Sequence, residues 1–410
     1  MISKYLLLNY NIILKLISLL TFFKFLYPNK YRKWIVEQNN IFIKFKKNTI
    51  KPIWIHCSSL GEYEEIKILI PELKKINSNI NITFFSLSGY QNFKDYHLIN
   101  QISCLPFDSK SNMKKFINLI NPMMVIIAKN DIWPNMITYL NKKNIPSYVI
   151  GFKLNENKQH NWLTNIYYEN ILTKFNFIFC ENQASFKFLR KKNILNNIVI
   201  GNTRINQIII DSKINLENTL ISEFTANKKT IVYGSVEDGD YDKIIKTINK
   251  RYDFMHIIIP HEINKKNIQI LKRNFPQKVL FYSKAKKSDL KKNNILIIDV
   301  FGVLKHIYKF TDIAYIGGGF NNGIHNTLEA AIHNNFMIFG PRHTNFSETF
   351  FFIEKNIAAV INNNLELEKS INYFIKKDIG KKEIHKITSS YFKKQVVNLQ
   401  PIIENLSSLK

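Results

Sequence analysis

The sequence predicts an α/β protein made of two parallel-sheet domains, on three observations. Short apolar runs alternate with helix-like segments from Ile53 onward, they fall into two series separated by the polar stretch Asn206 to Lys229, and several end in turns of glycine and polar residues. Alternation of this kind is the pattern of βαβ units, in which a helical crossover returns the chain to a parallel strand. In the first series the strand candidates are Ile53–His56, Ile82–Ser88, Met124–Ile127, Ser147–Gly151, Phe177–Cys180 and Asn197–Gly201. In the second they are Thr230–Ser235, Phe254–Ile259, Ile295–Asp299, Ile313–Ile316 and Phe336–Phe339. The domain limits that follow are 31–215 and 216–410, and the last helix either stays with the second domain or returns to the first.

Residues 1–30 stand apart. The segment 5–27 is mostly apolar but carries Asn9, Asn11, Lys15 and Lys24, and has no small-residue cleavage site of a secretory signal. Its length suffices for a membrane span, which the polar residues make marginal. Flanking Lys30, Arg32 and Lys33 suit the cytoplasmic side of a bilayer. The favoured reading is an anchor helix at the membrane, spanning it or lying in its surface; a buried amphipathic helix is the alternative.

Composition narrows the classes. The chain has 410 residues, 45% of them hydrophobic, enough for two real cores. Three cysteines, all in or beside apolar runs and without ligand spacing, read as reduced core residues. The net charge of +27 favours an anionic partner. Arginines are scarce and the lysines are dispersed, which argues against nucleic acid.

The richest segment is Tyr315–Phe346. The strand Ile313–Ile316 breaks into Gly317-Gly318-Gly319, reaches Gly323, and opens a helix that Asn326 or Thr327 can cap. A glycine-bordered strand-to-helix junction offers unpaired N–H groups to a phosphate, and Glu329 can accept from a ribose diol. The position late in the chain argues against a dinucleotide fingerprint, and the expected ligand is a nucleotide. Other strand ends carry Glu62 after a Ser58 or Ser59 cap, Lys129-Asn130-Asp131, Gly201-Asn202-Thr203-Arg204, Gly234-Ser235 and Pro260-His261-Glu262. Ligands of doubly wound sheets bind at this carboxyl edge. A helix end lowers the pKa of Glu62 and burial raises it, a contest the sequence leaves open.

The ordered series IWIHCSSLGE, NDIWPN, GNTR, GS, PHE, IIDVFGVL, GGGFNNGIHNTLEAA and FGPRHTNF resembles the bacterial 3-deoxy-D-manno-octulosonic acid (Kdo) transferases of lipopolysaccharide synthesis, over nearly the whole chain. The resemblance implies a GT-B glycosyltransferase architecture, two Rossmann-like domains facing a cleft, with an N-terminal anchor on the cytoplasmic face of the inner membrane. It implies a donor, CMP-Kdo, used without a metal or other cofactor, and a lipid A precursor as acceptor, at an anionic membrane surface. By position, Glu62 matches the general base, while Asp131 and Arg204 match residues that steady the transition state. Ser235, Pro260, His261, Phe301, Gly302, Val303, Gly318, Gly319, Asn326, Thr327, Leu328 and Glu329 match segments that hold CMP. The sequence departs from the family at Lys129, often acidic, at Asp131, usually Glu, at Asn202, in the 320–323 loop, and at Asn334-Asn335. Two rivals stand beside this reading: a glycosyltransferase of the same fold using another nucleotide sugar, such as UDP-GlcNAc, and an inactive membrane-surface scaffold.

Overall fold

The computed structural model describes residues 2–20, 29–154, 169–214, 219–226, 228–275, 279–290, 292–377 and 380–408. The chain divides into two units, Met1–Gln207 with Gln395–Lys410, and Ile208–Lys394. The division falls inside the Arg204–Lys213 helix rather than at 215, and the terminal helix Gln400–Ser407 belongs to the first unit.

The first unit holds a seven-stranded sheet of β1 (Ile53–Cys57), β2 (Ile80–Phe84), β3 (Gln101–Cys104), β4 (Met124–Ala128), β5 (Ser147–Phe152), β6 (Phe177–Cys180) and β7 (Asn197–Val199). Its order is β3-β2-β1-β4-β5-β6-β7 and every pair is parallel. The order reverses between β1 and β4, the switch point beside which doubly wound sheets bind ligands. Strand periodicity of two sends the β1 side chains to opposite faces. Trp54 packs with Met113, Phe116, Val125 and Ile127, whereas Ile53, Ile55 and Cys57 pack with Ile66, Ile80 and Ile82. Cys57, Cys104 and Cys180 are buried free thiols, and burial pushes the Cys57 thiol up.

The second unit repeats the plan with β8 (Thr230–Val236), β9 (Met255–Pro260), β10 (Val279–Phe281), β11 (Ile295–Ile297), β12 (Ile313–Ile316), β13 (Phe336–Phe339) and β14 (Ala358–Val360), in the order β10-β11-β9-β8-β12-β13-β14. Pairing is parallel throughout. Three strands escaped the sequence reading: β3, β10 and β14. Each lies at a sheet edge, spans three or four residues and has partly exposed positions, so no continuous apolar run marks it. After β1 come two helices, Leu60–Ile66 and Ile70–Ile76, joined by the 3-10 turn Lys67–Leu69. Pro71 sits at the start of the second, where its missing N–H is harmless.

Among the described residues no helix is long and apolar enough to cross a membrane. The N-terminal helix Ile2–Leu20 instead has two faces; residues 21–27 of the expected anchor lie outside the described residues. On one face Leu14 is buried, Tyr10 donates to Asp108 Oδ2 at 2.9 Å, and Asn11 Oδ1 accepts from the Asn135 amide at 2.9 Å. On the other, Leu8, Ile12, Ile13, Leu16 and Ile17 are exposed. Asp108 is wholly buried and also accepts from the backbone N–H groups of Asn135 and Met136, both at 2.9 Å. It thereby closes the β4 loop and docks the helix together. Asp108→Ala should strand two buried N–H groups at about 1–3 kcal/mol each, lowering the urea midpoint well beyond what Tyr10→Phe does.

Candidate active site at the sheet edges

Glu62 emerges from the order of β1. The strand ends at Cys57, and Ser59 caps the Leu60–Ile66 helix by accepting from the Glu62 N–H at 3.4 Å. The Glu62 carboxylate turns back to accept from the Ser58 N–H at 2.5 Å. This is a capping box shifted by one residue, so both first-turn donors are met. The contest left open by the sequence is decided for burial, which pushes the Glu62 carboxyl up to about 7. The charges of Asp131 and Glu65 add to the rise, against the Ser58 hydrogen bond and His56. A carboxylate of that basicity exchanges protons readily near neutral pH.

Asp131 follows the adjacent strand β4 and reaches His56 of β1, whose Nε2 lies 2.8 Å from Asp131 Oδ2. Beside them is an ionic cluster. The Lys129 ammonium lies 2.9 Å from Glu65 and 2.5 Å from Glu181, and Lys153 lies 3.0 Å from Glu181. Burial pulls the Lys129 ammonium down, but Glu65 and Glu181 outweigh it and hold it above its usual value. Lys129, where the resemblance leads one to expect an acid, here balances Glu65 of the Leu60–Ile66 helix and Glu181 just after β6. The Asn130 side chain links the same loop to the Lys153 backbone in both directions, at 2.7 and 3.0 Å. Arg204 is separate: it follows β7, three strands beyond β4, roughly 14 Å across the sheet at the usual strand spacing. Asn202 caps the Arg204 N–H at 3.0 Å. The structure therefore groups Glu62 with Asp131, and leaves Arg204 at the far edge.

In the second unit the loops after β8 and β12 converge on Asp240. This buried carboxylate accepts from the Tyr315 hydroxyl at 2.6 Å and from the Glu237 and Gly318 N–H groups at 2.8 and 2.9 Å. Burial raises its pKa while those donors oppose. The glycines serve close packing first. A Cβ on Gly317 would collide with the Ser235 carbonyl, and one on Gly319 would come within 2.7 Å of Gly340 Cα. Gly318 spends its N–H on Asp240 rather than leaving it open. Ser235 itself adopts a left-handed backbone, φ +54°, at a bulge in β8. The helix after the glycines is only Leu328–Ile332, and Asn326 rather than Thr327 caps it, accepting from the Leu328 N–H at 3.1 Å. Thr327 and Leu328 are buried, Thr327 donating to Glu348 at 3.2 Å.

What faces outward is a short list. His261 is exposed at the end of β9 and stacks on His325, with centroids 4.3 Å apart. His325 Nε2 lies 3.0 Å from Glu237 Oε1, and Asn321 donates to Glu237 Oε2 at 3.2 Å. The donor atoms of Glu237, His261 and His325 lie within 4.8 Å of one another, close enough for a metal ion. The two rings are nearly parallel, 21° apart, so their lone pairs run side by side rather than converging. Glu237 and His325 were not foreseen as site residues; their only sequence signal is a place two residues past strand-end motifs. The exposed Phe301 and the Gly302 turn, φ +87°, lead into the Leu304–Ile307 helix. That helix packs on Gly234 and carries Lys305 and His306 to a small pocket shared with Asp211, Ser212, Glu329 and His333. Glu329 is oriented there by the Asn326 amide at 2.6 Å. Asn334 ends the short helix in a left-handed conformation, and the buried Asn335 amide donates to the Tyr308 carbonyl at 2.7 Å and accepts from Thr311 at 2.6 Å. These departures from the family pattern are thus built into the fold.

The class this fold defines is a two-unit Rossmann-type α/β protein. Anabaena HepE in complex with UDP matches it with a TM-score of 0.59 at 12% identity, over 88% of this chain and 100% of that one. A glycosyltransferase from Rickettsia africae matches with a TM-score of 0.55 at 15% identity, over 88% and 98%. At such identities the likeness shows the fold alone. In sequence, residues 33–207 match the family model described as 3-deoxy-D-manno-octulosonic-acid transferase (kdotransferase). A 3-deoxy-D-manno-octulosonic acid transferase of Aquifex aeolicus is 27% identical over 82% of this chain and 90% of its own. A bifunctional glycosyltransferase/methyltransferase of Fusobacterium nucleatum is 25% identical over 78% of this chain, which spans about half, 52%, of that protein's length. In sequence the chain is thus similar to Kdo transferases, over residues 33–207 by the family model and over 82% of its length by the Aquifex aeolicus relative.

Two outcomes follow from the geometry. Glu62 should titrate near 7 in a carboxyl-carbon NMR titration of the folded protein. Because its folded pKa is raised above the ordinary value of 4.5, its contribution to stability is fully present below about 4.5 and is lost as the pH rises through about 7; Glu62→Gln should flatten that dependence. Gly317→Ala, whose methyl meets the Ser235 backbone, should cost about 1–3 kcal/mol in denaturant unfolding.

Proposed function

We propose that this protein transfers Kdo from CMP-Kdo to a lipid A precursor, in the inner-core assembly of lipopolysaccharide, by a metal-independent inverting displacement. The observation that carries the reading is Glu62: a carboxylate at a carboxyl strand end, half-buried, with a pKa near 7 and Asp131 beside it. Similarity to Kdo transferases supports the donor and the reaction class. In the step, an acceptor hydroxyl oxygen bonds to the Kdo anomeric carbon as its bond to the CMP phosphate breaks. The hydroxyl proton passes to Glu62, the electron pair of the broken bond leaves with CMP, and the positive charge that develops on the sugar ring is steadied by nearby carboxylate. A general base is needed because the hydroxyl becomes nucleophilic only as its proton departs.

CMP is assigned to the second unit. The pocket of Lys305, His306 and Glu329 suits a ribose diol, with Glu329 as acceptor, and the exposed His261 with His325 suits the phosphate. Phe301, Gly302 and Val303 border the same turn, and Ser235, Gly318 and Gly319 shape the loops beneath it. Arg204 fits an anionic group of the acceptor better than the reacting centre, given its distance across the sheet. The exposed row Leu8, Ile12, Ile13, Leu16 and Ile17 gives the enzyme an apolar strip for the acyl region of the inner membrane's cytoplasmic leaflet, with Tyr10 and Asn11 holding the helix flat on its domain.

The test is turnover of a lipid A precursor with CMP-Kdo, read by mass spectrometry, with UDP-GlcNAc as the competing donor. Product carrying Kdo only with CMP-Kdo is expected; transfer from the UDP-sugar alone would overturn the assignment. In that assay Glu62→Ala should lose about 10²–10⁴-fold in rate, and near-normal turnover would remove Glu62 from the role of base. For the parent enzyme kcat/KM should climb with pH on an acid limb centred near 7, since the base must be ionised.

A further inference from the structure

We propose that His56 is a positioning residue for the transfer, holding Asp131 in place beside Glu62 through a one-way hydrogen-bond relay that starts at the Trp54 indole. The inference rests on the reading of Glu62 and Asp131 given above and adds to it a residue that no motif assigns.

The relay follows from the β1–β2 register. Trp54 and His56 lie on one face of β1, and Thr83 of β2 is the direct neighbour of His56. The Trp54 indole nitrogen lies 2.8 Å from Thr83 Oγ1, and His56 Nδ1 lies 2.9 Å from the same oxygen. An indole N–H can only donate, so Thr83 Oγ1 accepts from Trp54. A neutral imidazole protonated on Nε2 is the tautomer that can donate to the Asp131 carboxylate, and its Nδ1 then accepts the single hydroxyl proton of Thr83. In that arrangement the imidazole carries its own proton on Nε2 and donates it to Asp131 Oδ2, 2.8 Å away. The Trp54 indole fills one acceptor site of Thr83 Oγ1, and the Asp131 carboxylate at Nε2 selects the tautomer. His56 has no solvent exposure, so water cannot substitute for any of these partners.

The bland account is a buried histidine that merely satisfies its own nitrogens, and the second unit provides an example of one. His256, also fully buried, is the second residue of β9; its Nε2 contacts the Arg251 carbonyl at 2.6 Å and its Nδ1 the Tyr233 hydroxyl at 3.3 Å. That histidine sits at the amino end of its strand and ends on main chain. His56 sits one residue from the carboxyl end of β1 and ends on the side chain of Asp131, in the loop that faces the candidate base. Among the described residues, Asp131 is held on its other side through its loop, by the Asn130 bridge to Lys153. Remove the imidazole and the carboxylate is free to turn.

Two substitutions separate positioning from folding. In His56→Asn the amide reaches the Nδ1 place and keeps Thr83 but falls short of Asp131. In His56→Gln the amide extends to the Nε2 place and can donate to Asp131. With full-length protein, CMP-Kdo and a lipid A precursor, H56N should lower kcat about 10–100-fold, the scale of a reacting-group misplacement, with KM for either substrate within about twofold. H56Q should recover at least about tenfold of that loss. Equal losses in both variants, a loss confined to KM, or wild-type kcat in H56N would overturn the relay while leaving the transferase reading intact. Should neither variant fold, Thr83→Val, which removes the hydroxyl that donates to His56 Nδ1, should lower kcat several-fold, and wild-type kcat there overturns the relay. No transfer by the parent protein overturns the functional reading and this inference with it.

Discussion

Everything at the two sheet edges depends on one constraint: where a parallel ladder stops, the loop that continues it has polar groups that water cannot reach, and each must find a partner inside the protein. Buried carboxylates meet that need. Asp240 takes two loop N–H groups and a tyrosine hydroxyl in the second unit, and Asp108 takes two N–H groups and a tyrosine hydroxyl in the first. A hydrogen bond to a charged acceptor is stronger than one between neutral groups, and an unmet buried donor is expensive, so these acids fix loop shapes that backbone propensity alone would leave free. Asp131 differs in being held rather than holding: its own orientation comes from His56, and its field reaches Glu62. The candidate chemistry sits where the pairing of buried polar groups meets the partly open edge.

The same constraint explains how a chain so rich in asparagine keeps two doubly wound sheets. Asparagine accepts the left-handed backbone at helix ends, as at Asn121, Asn144, Asn193, Asn334 and Asn356. Its amide also serves as donor and acceptor at once, as Asn130 does with Lys153 and Asn335 does with Tyr308 and Thr311. Lysine bias is absorbed in the same way at Lys129, whose buried ammonium is matched by Glu65 and Glu181. A pair of buried acids around a lysine adds little to stability by itself, but it does specify which loops meet.

The glycines of the 317–340 region carry a correction in meaning. Their absent side chains let backbone pass against backbone, Gly317 on Ser235 and Gly319 on Gly340. Ligand-facing groups are therefore set by what surrounds the glycines, the stacked His261 and His325 with Glu237, and the pocket around Glu329.

The sequence by itself determined the long, central strands, because a strand buried on both faces reads as an apolar run, as in Met124–Ala128 and Ile313–Ile316. It also determined Glu62 at a strand end, since a serine followed three residues later by a glutamate marks a helix start. Tertiary structure decided what depends on neighbours in space. The edge strands β3, β10 and β14 form by pairing against a sheet that already exists, so their own residues need little pattern. The basicity of Glu62 came from burial and from Asp131, sixty-nine positions on in the chain (131 − 62), a distance no local motif spans. His56 looked like one more residue of an apolar strand until the register placed Thr83 beside it and the β4 loop brought Asp131 to its far nitrogen. Local physics writes the elements into the chain; electrostatics between elements exists only once they are packed.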